Sequence, residues 1–291
     1  MVKPDALMPP APTAPTHNLP TGAVDAHVHL VAGADEFPLW ENRVENPAPG
    51  RDFEGWLDAY RAHLSALGCE KGLIVHSILY GTDNSVTLEA VKRMGAGFKG
   101  VGLLPDGATT RQIDAFAQQN MVAVRLNYVH GGVLTWDGAK AMAPALADHG
   151  LHLQMLAHAD RHMEEIAEDV RAMPCPVVFD HLGWPADGIT PDSPGFQAFC
   201  ALLADGHAYA KLSAPYRMDD APFEAAAACT SALIAANPER CMWGSDWPHL
   251  MLNGADMPHA SELADTAMSL MPDDETARQI FVDTPTQLFG L

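Results

Sequence analysis

With 291 residues, 48% of them hydrophobic, the chain is long enough to bury one large core. Its net charge of −20 (17 basic against 37 acidic residues, histidine neutral) argues against nucleic acid and anionic membrane as partners, because either needs a basic face. No apolar run approaches the roughly 20 residues of a membrane span. The five cysteines, Cys69, Cys175, Cys200, Cys229 and Cys241, are odd in number, scattered and free of any CxxC, which speaks against a disulfide framework or structural zinc and fits a reducing cytoplasm.

Residues 1–22 lack the charged-then-apolar order of a signal peptide, and their Pro-Pro-Ala-Pro-Thr-Ala-Pro run reads as a flexible tail. The first strand is Ala23-Val24-Asp25-Ala26-His27-Val28-His29-Leu30. Alternation puts His27 and His29 on one face, with Asp25 beside them and Val24, Ala26, Val28 and Leu30 opposite. A Pro/Gly/Asn-rich loop follows over 31–51, long enough to serve as a lid. Asp52 then caps a helix whose stripe is Phe53, Trp56, Leu57, Tyr60, Leu64 and Leu67, and Gly68 ends it.

Further strands are expected near 72–78, 98–104, 121–127, 152–157, 176–183, 208–214 and 240–247, with helices between them. Two more helices close the chain near 259–271 and 273–282. Strict alternation of strand and helix means parallel strands, and eight units of this spacing fill a single-domain (β/α)8 TIM barrel over 23–291. The competitor, an open doubly wound sheet, is weakened because no GxGxxG follows an early strand.

Active groups of such a barrel sit at the carboxyl ends of its strands. There the chain carries His27 and His29, then Arg125 and Asn127, then His158, His181, Arg217 and Asp246. Each has a plainer explanation alone: His181 a core histidine, Asp246 a helix cap, Arg125 half of a buried ion pair. Their gathering at one end of one barrel favours a site. Three imidazoles around a carboxylate suit hydrolysis, the acid taking a proton from water and imidazole N–H groups holding the oxyanion. The same nitrogen and oxygen set also suits zinc, so a metal hydrolase stays open, with His27, His29 and Asp246 as ligands and His158 or His181 as a further one.

The runs Gly81-Thr82-Asp83-Asn84, Arg125-Leu126-Asn127, Val178-Phe179-Asp180-His181-Leu182-Gly183 and Trp243-Gly244-Ser245-Asp246-Trp247-Pro248-His249 resemble the "amidohydrolase 2" branch of the amidohydrolase superfamily, and within it the 2-pyrone-4,6-dicarboxylate lactonases. The resemblance implies a hydrolase of aromatic-compound or sugar-acid breakdown that opens a small carboxylated lactone. Asp246 would be the general base, and His27, His29 and His181 would polarise the carbonyl. Arg125 and Arg217 would hold substrate carboxylate, with Asn127, Tyr128 and His249 completing the binding set. No metal or other cofactor is expected on this reading; a single divalent ion such as zinc is the alternative, in a hydrolase or decarboxylase. A sugar-acid lactone hydrolase or isomerase is a further alternative. The chain departs from the dicarboxylate lactonases where Tyr128-Val129-His130-Gly131 and Gly183-Trp184-Pro185 stand in stretches that carry extra arginines there, so a second carboxylate should be gripped less tightly.

Overall fold

The computed structural model describes residues 3–186 and 188–291. Eight strands run β1 Val24–Val28, β2 Lys71–Val75, β3 Phe98–Gly102, β4 Met121–Asn127, β5 His152–Leu156, β6 Val177–Phe179, β7 Ala208–Leu212 and β8 Cys241–Trp243. They lie in sequence order and every neighbouring pair is parallel. Beyond β8 the chain returns to β1: the His29 amide donates to the Trp247 carbonyl at 2.8 Å, and the Asp246 amide to the His27 carbonyl at 2.9 Å. That is the expected (β/α)8 barrel.

The helices are α1 Phe53–Leu67, α2 Ser85–Met94, α3 Thr110–Ala117, α4 Trp136–Asp148, α5 Ala159–Ala172, α6 Pro194–Ala204, α7 Glu224–Ala236 and α8 Ala260–Ser269. The expected last helix is instead three joined pieces: α9 Asp274–Arg278, a π-turn Gln279–Asp283, and α10 Thr284–Phe289. In α1 the Asp52 side chain accepts from the Gly55 amide, and Gly68, at φ 78°, supplies the left-handed ending that β-carbon-bearing residues resist. Several strands stop short of the expected span because the chain leaves the ladder there. His181, Ala214 and Asp246, all at positive φ, sit in those exits.

Inside the barrel the side chains form layers. The floor is Ala26, Leu73, Val75, Val101, Ala123, Val178 and Met242, closed from below by Phe289 of α10, which stacks on His152 with centroids 5.5 Å apart. Beyond the floor the interior turns polar, with Arg125 on β4, Gln154 on β5, Asp180 after β6 and Lys211 on β7.

The stretch expected to be a flexible tail has defined contacts from residue 3 onward. Asp5 bridges to Asn46, Thr13 Oγ1 lies 2.7 Å from Ser261 Oγ, and Asp265 accepts from the Thr16 and His17 amides at 2.9 and 2.8 Å. Pro9 to Thr13 lie over His63, Trp247 and His249. The 31–51 loop is tied down at several points, among them the Trp40 amide to the Leu79 carbonyl and Glu45 Oε1 to the Met251 amide at 2.7 Å. Among the described residues no helix is long and apolar enough to cross a membrane, and the five cysteines are free.

Candidate active site

β1 departs from simple alternation. Its register against β2 shifts between Asp25 and Val28, so one extra residue is taken up there, as in a β-bulge. Ala26 joins the barrel floor, and His27 and His29 follow it into the interior. Asp25, expected beside the two histidines, faces the other way. It accepts from the Ser245 amide at 2.8 Å and the Ser245 hydroxyl at 2.7 Å, with His63 of α1 3.6 Å away. Asp25 therefore braces the turn that carries Asp246 and stands outside the imidazole cluster.

Asp246 is fully buried and held at φ 59°, a conformation that costs a non-glycine residue of the order of 1 kcal/mol or more. Its two oxygens differ. Oδ2 accepts from the Tyr216 hydroxyl at 2.6 Å and from Arg217 at 2.9 Å. Oδ1 has no hydrogen-bond partner among the described residues and faces His29 Nε2 at 3.5 Å and His27 Nε2 at 3.7 Å. Burial opposes the charge on this carboxyl but is outweighed by the positive field of His181 and Arg217, which holds it well below the usual carboxylate range. Arg217 is the part of that field that persists when His181 is neutral.

Two of the imidazoles, His27 and His181, are held neutral by burial. Burial pulls His27 well below its ordinary value, helped by the charge of Lys211, and takes His181 down to about 4. His181 Nδ1 lies 2.9 Å from Ser213 Oγ, and its ring centroid 4.7 Å from that of His27. His29 Nδ1 lies 2.8 Å from the Val75 carbonyl, which can only accept, so Nδ1 carries a proton. His29 and His181 keep 6% and 5% of their surface exposed, while His27 and Asp246 keep none.

Behind the imidazoles lies a group the sequence reading passed over. Lys211 is fully buried, with Nζ 2.7 Å from Gln154 Oε1, 3.2 Å from His27 Nδ1 and 3.6 Å from Asp180 Oδ1. Burial brings its ammonium down to about 8, with Asp180 opposing the fall. Burial likewise opposes the charge on Asp180, but the cations Lys211 and Arg125 help keep it well below the usual range. A lysine inside the apolar strand Ala208-Tyr209-Ala210-Lys211-Leu212 is the signal that could have found it.

Of the expected substrate-binding residues, Arg125 donates to the His76 carbonyl at 2.6 Å and reaches Asp180 at 3.4 Å, its side chain 15% exposed. Arg217 serves Asp246 and the carbonyls of Leu250 and Met251, so it clamps the acid. Asn127 Oδ1 accepts from the His130 amide, shaping the loop after β4. The structure does not bring Tyr128 or His249 to the cluster. Tyr128 donates to Glu165 of α5 and packs edge-on to Trp136 and His162. His249 is buried behind Tyr216, its Nδ1 3.4 Å from that hydroxyl. His158 is also turned aside: its Nδ1 bonds the Trp184 carbonyl, and among the described residues it belongs to neither group of side chains with metal-ligand spacing. Those groups are His27, His29 and Asp246, and His27, Asp180 and His181.

A profile of the family described as Amidohydrolase matches residues 24–291. The chain belongs to that family. Curated relatives span nearly all of it. A 4-sulfomuconolactone hydrolase of Hydrogenophaga intermedia is 28% identical over 94% of this chain and 90% of its own. A 2-pyrone-4,6-dicarboxylate hydrolase of Comamonas testosteroni is 27% identical over 96% and 93%. A D-galactarolactone isomerase of Agrobacterium fabrum is 27% identical over 96% and 94%. A crystal structure from Agrobacterium tumefaciens superimposes with a TM-score of 0.82 at 23% identity, covering 96% of this chain and 99% of that one, a likeness of fold. Within the amidohydrolase family, then, the sequence resemblances run to enzymes named for lactone chemistry.

Proposed function

We propose that this amidohydrolase opens the ring of a small carboxylated lactone with water activated by Asp246. The observation that carries the reading is the unpartnered Oδ1 of a buried, ionised Asp246 facing the imidazoles of His27 and His29. Such an oxygen is an acceptor waiting for a proton. A water giving one hydrogen to Oδ1 keeps a lone pair for the lactone carbonyl carbon. As the new C–O bond forms, one water proton passes to Asp246. The carbonyl electrons move onto oxygen, where N–H groups of His27 and His181 hold the oxyanion. Collapse breaks the ring C–O bond, and the proton on Asp246 goes to the leaving oxygen. The product is the ring-opened acid, and Asp246 is a carboxylate again.

Arg125, part-exposed at the end of β4, is our candidate for the substrate carboxylate. In the two stretches where the dicarboxylate lactonases carry extra arginines this chain has His130 and Trp184 instead, whose rings pack edge to face with centroids 6.0 Å apart. That favours a lactone with a single carboxylate arm and a neutral planar or hydroxylated remainder.

A metal-dependent hydrolase is the second reading, favoured by the metal-ligand spacing of His27, His29 and Asp246. His29 suits such a role, since its Nδ1–H is held by a carbonyl. His27 and Asp246 suit it less, because Lys211 and Arg217 put positive charge directly behind them. A bound zinc would supply a hydroxide at neutral pH.

The test is a panel of carboxylated lactones followed with a pH indicator, on protein freed of metal and on protein loaded with zinc. Wild-type protein without metal should open at least one of them. Asp246→Asn should lose about 1,000-fold or more of that rate with its circular dichroism unchanged. Near-normal hydrolysis by Asp246→Asn sinks the proposal, and activity only with zinc replaces it by the second reading. Running the reaction in ¹⁸O-water separates hydrolysis, which places the label in the product acid, from isomerisation, which does not.

A further inference from the structure

We propose that Lys211 is a positioning residue that decides which nitrogen of His27 carries the proton, and that it makes His27 a hydrogen-bond donor to the reaction cavity and a poor metal ligand. The argument is one of direction. An ammonium can only donate and a backbone carbonyl can only accept. Between these two fixed ends lies an unbroken chain of contacts: Lys211 Nζ to His27 Nδ1 at 3.2 Å, His27 Nε2 to His29 Nε2 at 3.3 Å, and His29 Nδ1 to the Val75 carbonyl at 2.8 Å. Only one arrangement of protons satisfies all three. Lys211 donates to His27 Nδ1, His27 donates from Nε2, and His29 accepts at Nε2 and donates from Nδ1. The bonds all point one way, so each polarises the next.

Asp180 is the rival. Its Oδ1 lies 3.3 Å from the same His27 Nδ1 and would favour a proton there. Oδ1 makes no hydrogen bond in that position, however, and the charge of Asp180 is already met by Lys211 at 3.6 Å and Arg125 at 3.4 Å. One nitrogen cannot both accept from Lys211 and donate to Asp180. Removing the ammonium hands the choice to Asp180: the proton moves to Nδ1, and Nε2 turns a lone pair toward His29 and Asp246. That is the pattern of a metal-ligating histidine, with its outer N–H on a carboxylate. Lys211 therefore separates two chemistries available to the same inner side chains.

The tautomer is read without substrate, so this part stands or falls apart from the lactonase reading; the catalytic consequence rests on that reading. Histidine-¹⁵N-labelled protein, freed of metal by a chelator, is examined at neutral pH by long-range ¹H–¹⁵N correlation, with His27 and His29 assigned by their loss in single variants. The native protein should show His27 protonated on Nε2 and His29 on Nδ1. Lys211→Met should move the His27 proton to Nδ1, leave His29 unchanged, and tighten binding of zinc alone, measured by calorimetry, at least tenfold. Its kcat for the lactone should fall with KM little changed, and Lys211→Gln, which keeps an N–H donor, should restore part of the Nε2–H form. A native His27 found as the Nδ1–H tautomer or as imidazolium overturns the proposal, and that measurement needs no variant to fold. A Lys211→Met protein with an unchanged tautomer overturns it equally.

Discussion

Asp246 illustrates how one side chain is divided between holding and reacting. Oδ2 is anchored by Tyr216 and Arg217, and Oδ1 is left free on the side of the imidazoles. The Tyr216 hydroxyl itself cannot ionise here, since burial and the neighbouring acid push it well above its ordinary value, so it is always a donor. Hydrogen bonds to charged groups are worth about 1.5–3 kcal/mol. Tyr216→Phe should therefore raise the pKa of Asp246. Because the base must be ionised, activity lost on the acid side would be lost at a higher pH, by about one to two units. A pH profile of kcat/KM checks this; an acid limb that stays in place would show that Tyr216 does not tune the base. Asp246, His27, His29 and His181 were legible as residues because imidazoles and an acid at strand ends are conspicuous. Tyr216 and Lys211 were not, because their importance lies in which atom they touch.

At the scale of the element, the first strand is where reading by period two failed. The pattern put Asp25 with the histidines, but the shifted register turns Asp25 out toward α1 and both histidines in. A bulge leaves no mark in composition, since it is decided by what the strand must pair with on either side. On the other side is β8, which approaches closely because residue 244 is glycine. A β-carbon there would meet the His27 amide nitrogen at 2.6 Å and its Cβ at 2.7 Å. Both of those atoms belong to or adjoin backbone and have little room to give. Gly244→Ala should cost about 1–3 kcal/mol by overpacking, read in urea, and should also lower turnover by displacing His27. A variant of unchanged stability and activity would mean that β1 and β8 can separate without consequence.

Over the whole molecule, buried histidine sets the response to acid. His76 and His181 lie at about 4, and His152 and His249 at about 3, each depressed mainly by burial. In the unfolded chain they titrate near 6.5. The folded state keeps them neutral, so their contribution is whole above pH 6.5 and is lost as pH falls from there toward 4 and then 3. At pH 5 each costs about 2 kcal/mol, large beside a total stability of about 5–15 kcal/mol. Asp180 and Asp246, depressed as carboxylates, lose their share only at lower pH. Unfolding free energies from denaturant titrations should drop steeply between pH 6.5 and 4.5, and a flat profile from pH 7 to 5 would contradict this account.

Strand-helix alternation, total length and the strand-end histidines determined the barrel, its parallel order and the end at which chemistry sits, because those follow from local periodicity and from the short connections between neighbouring elements. Only the folded structure decided that Asp25 braces a turn, that Arg217 clamps the acid, that Tyr128, His158 and His249 stand aside, and that Lys211 reaches His27 across 184 residues of chain. Those outcomes depend on distances of about 3 Å between strands far apart in sequence, which only the folded chain sets.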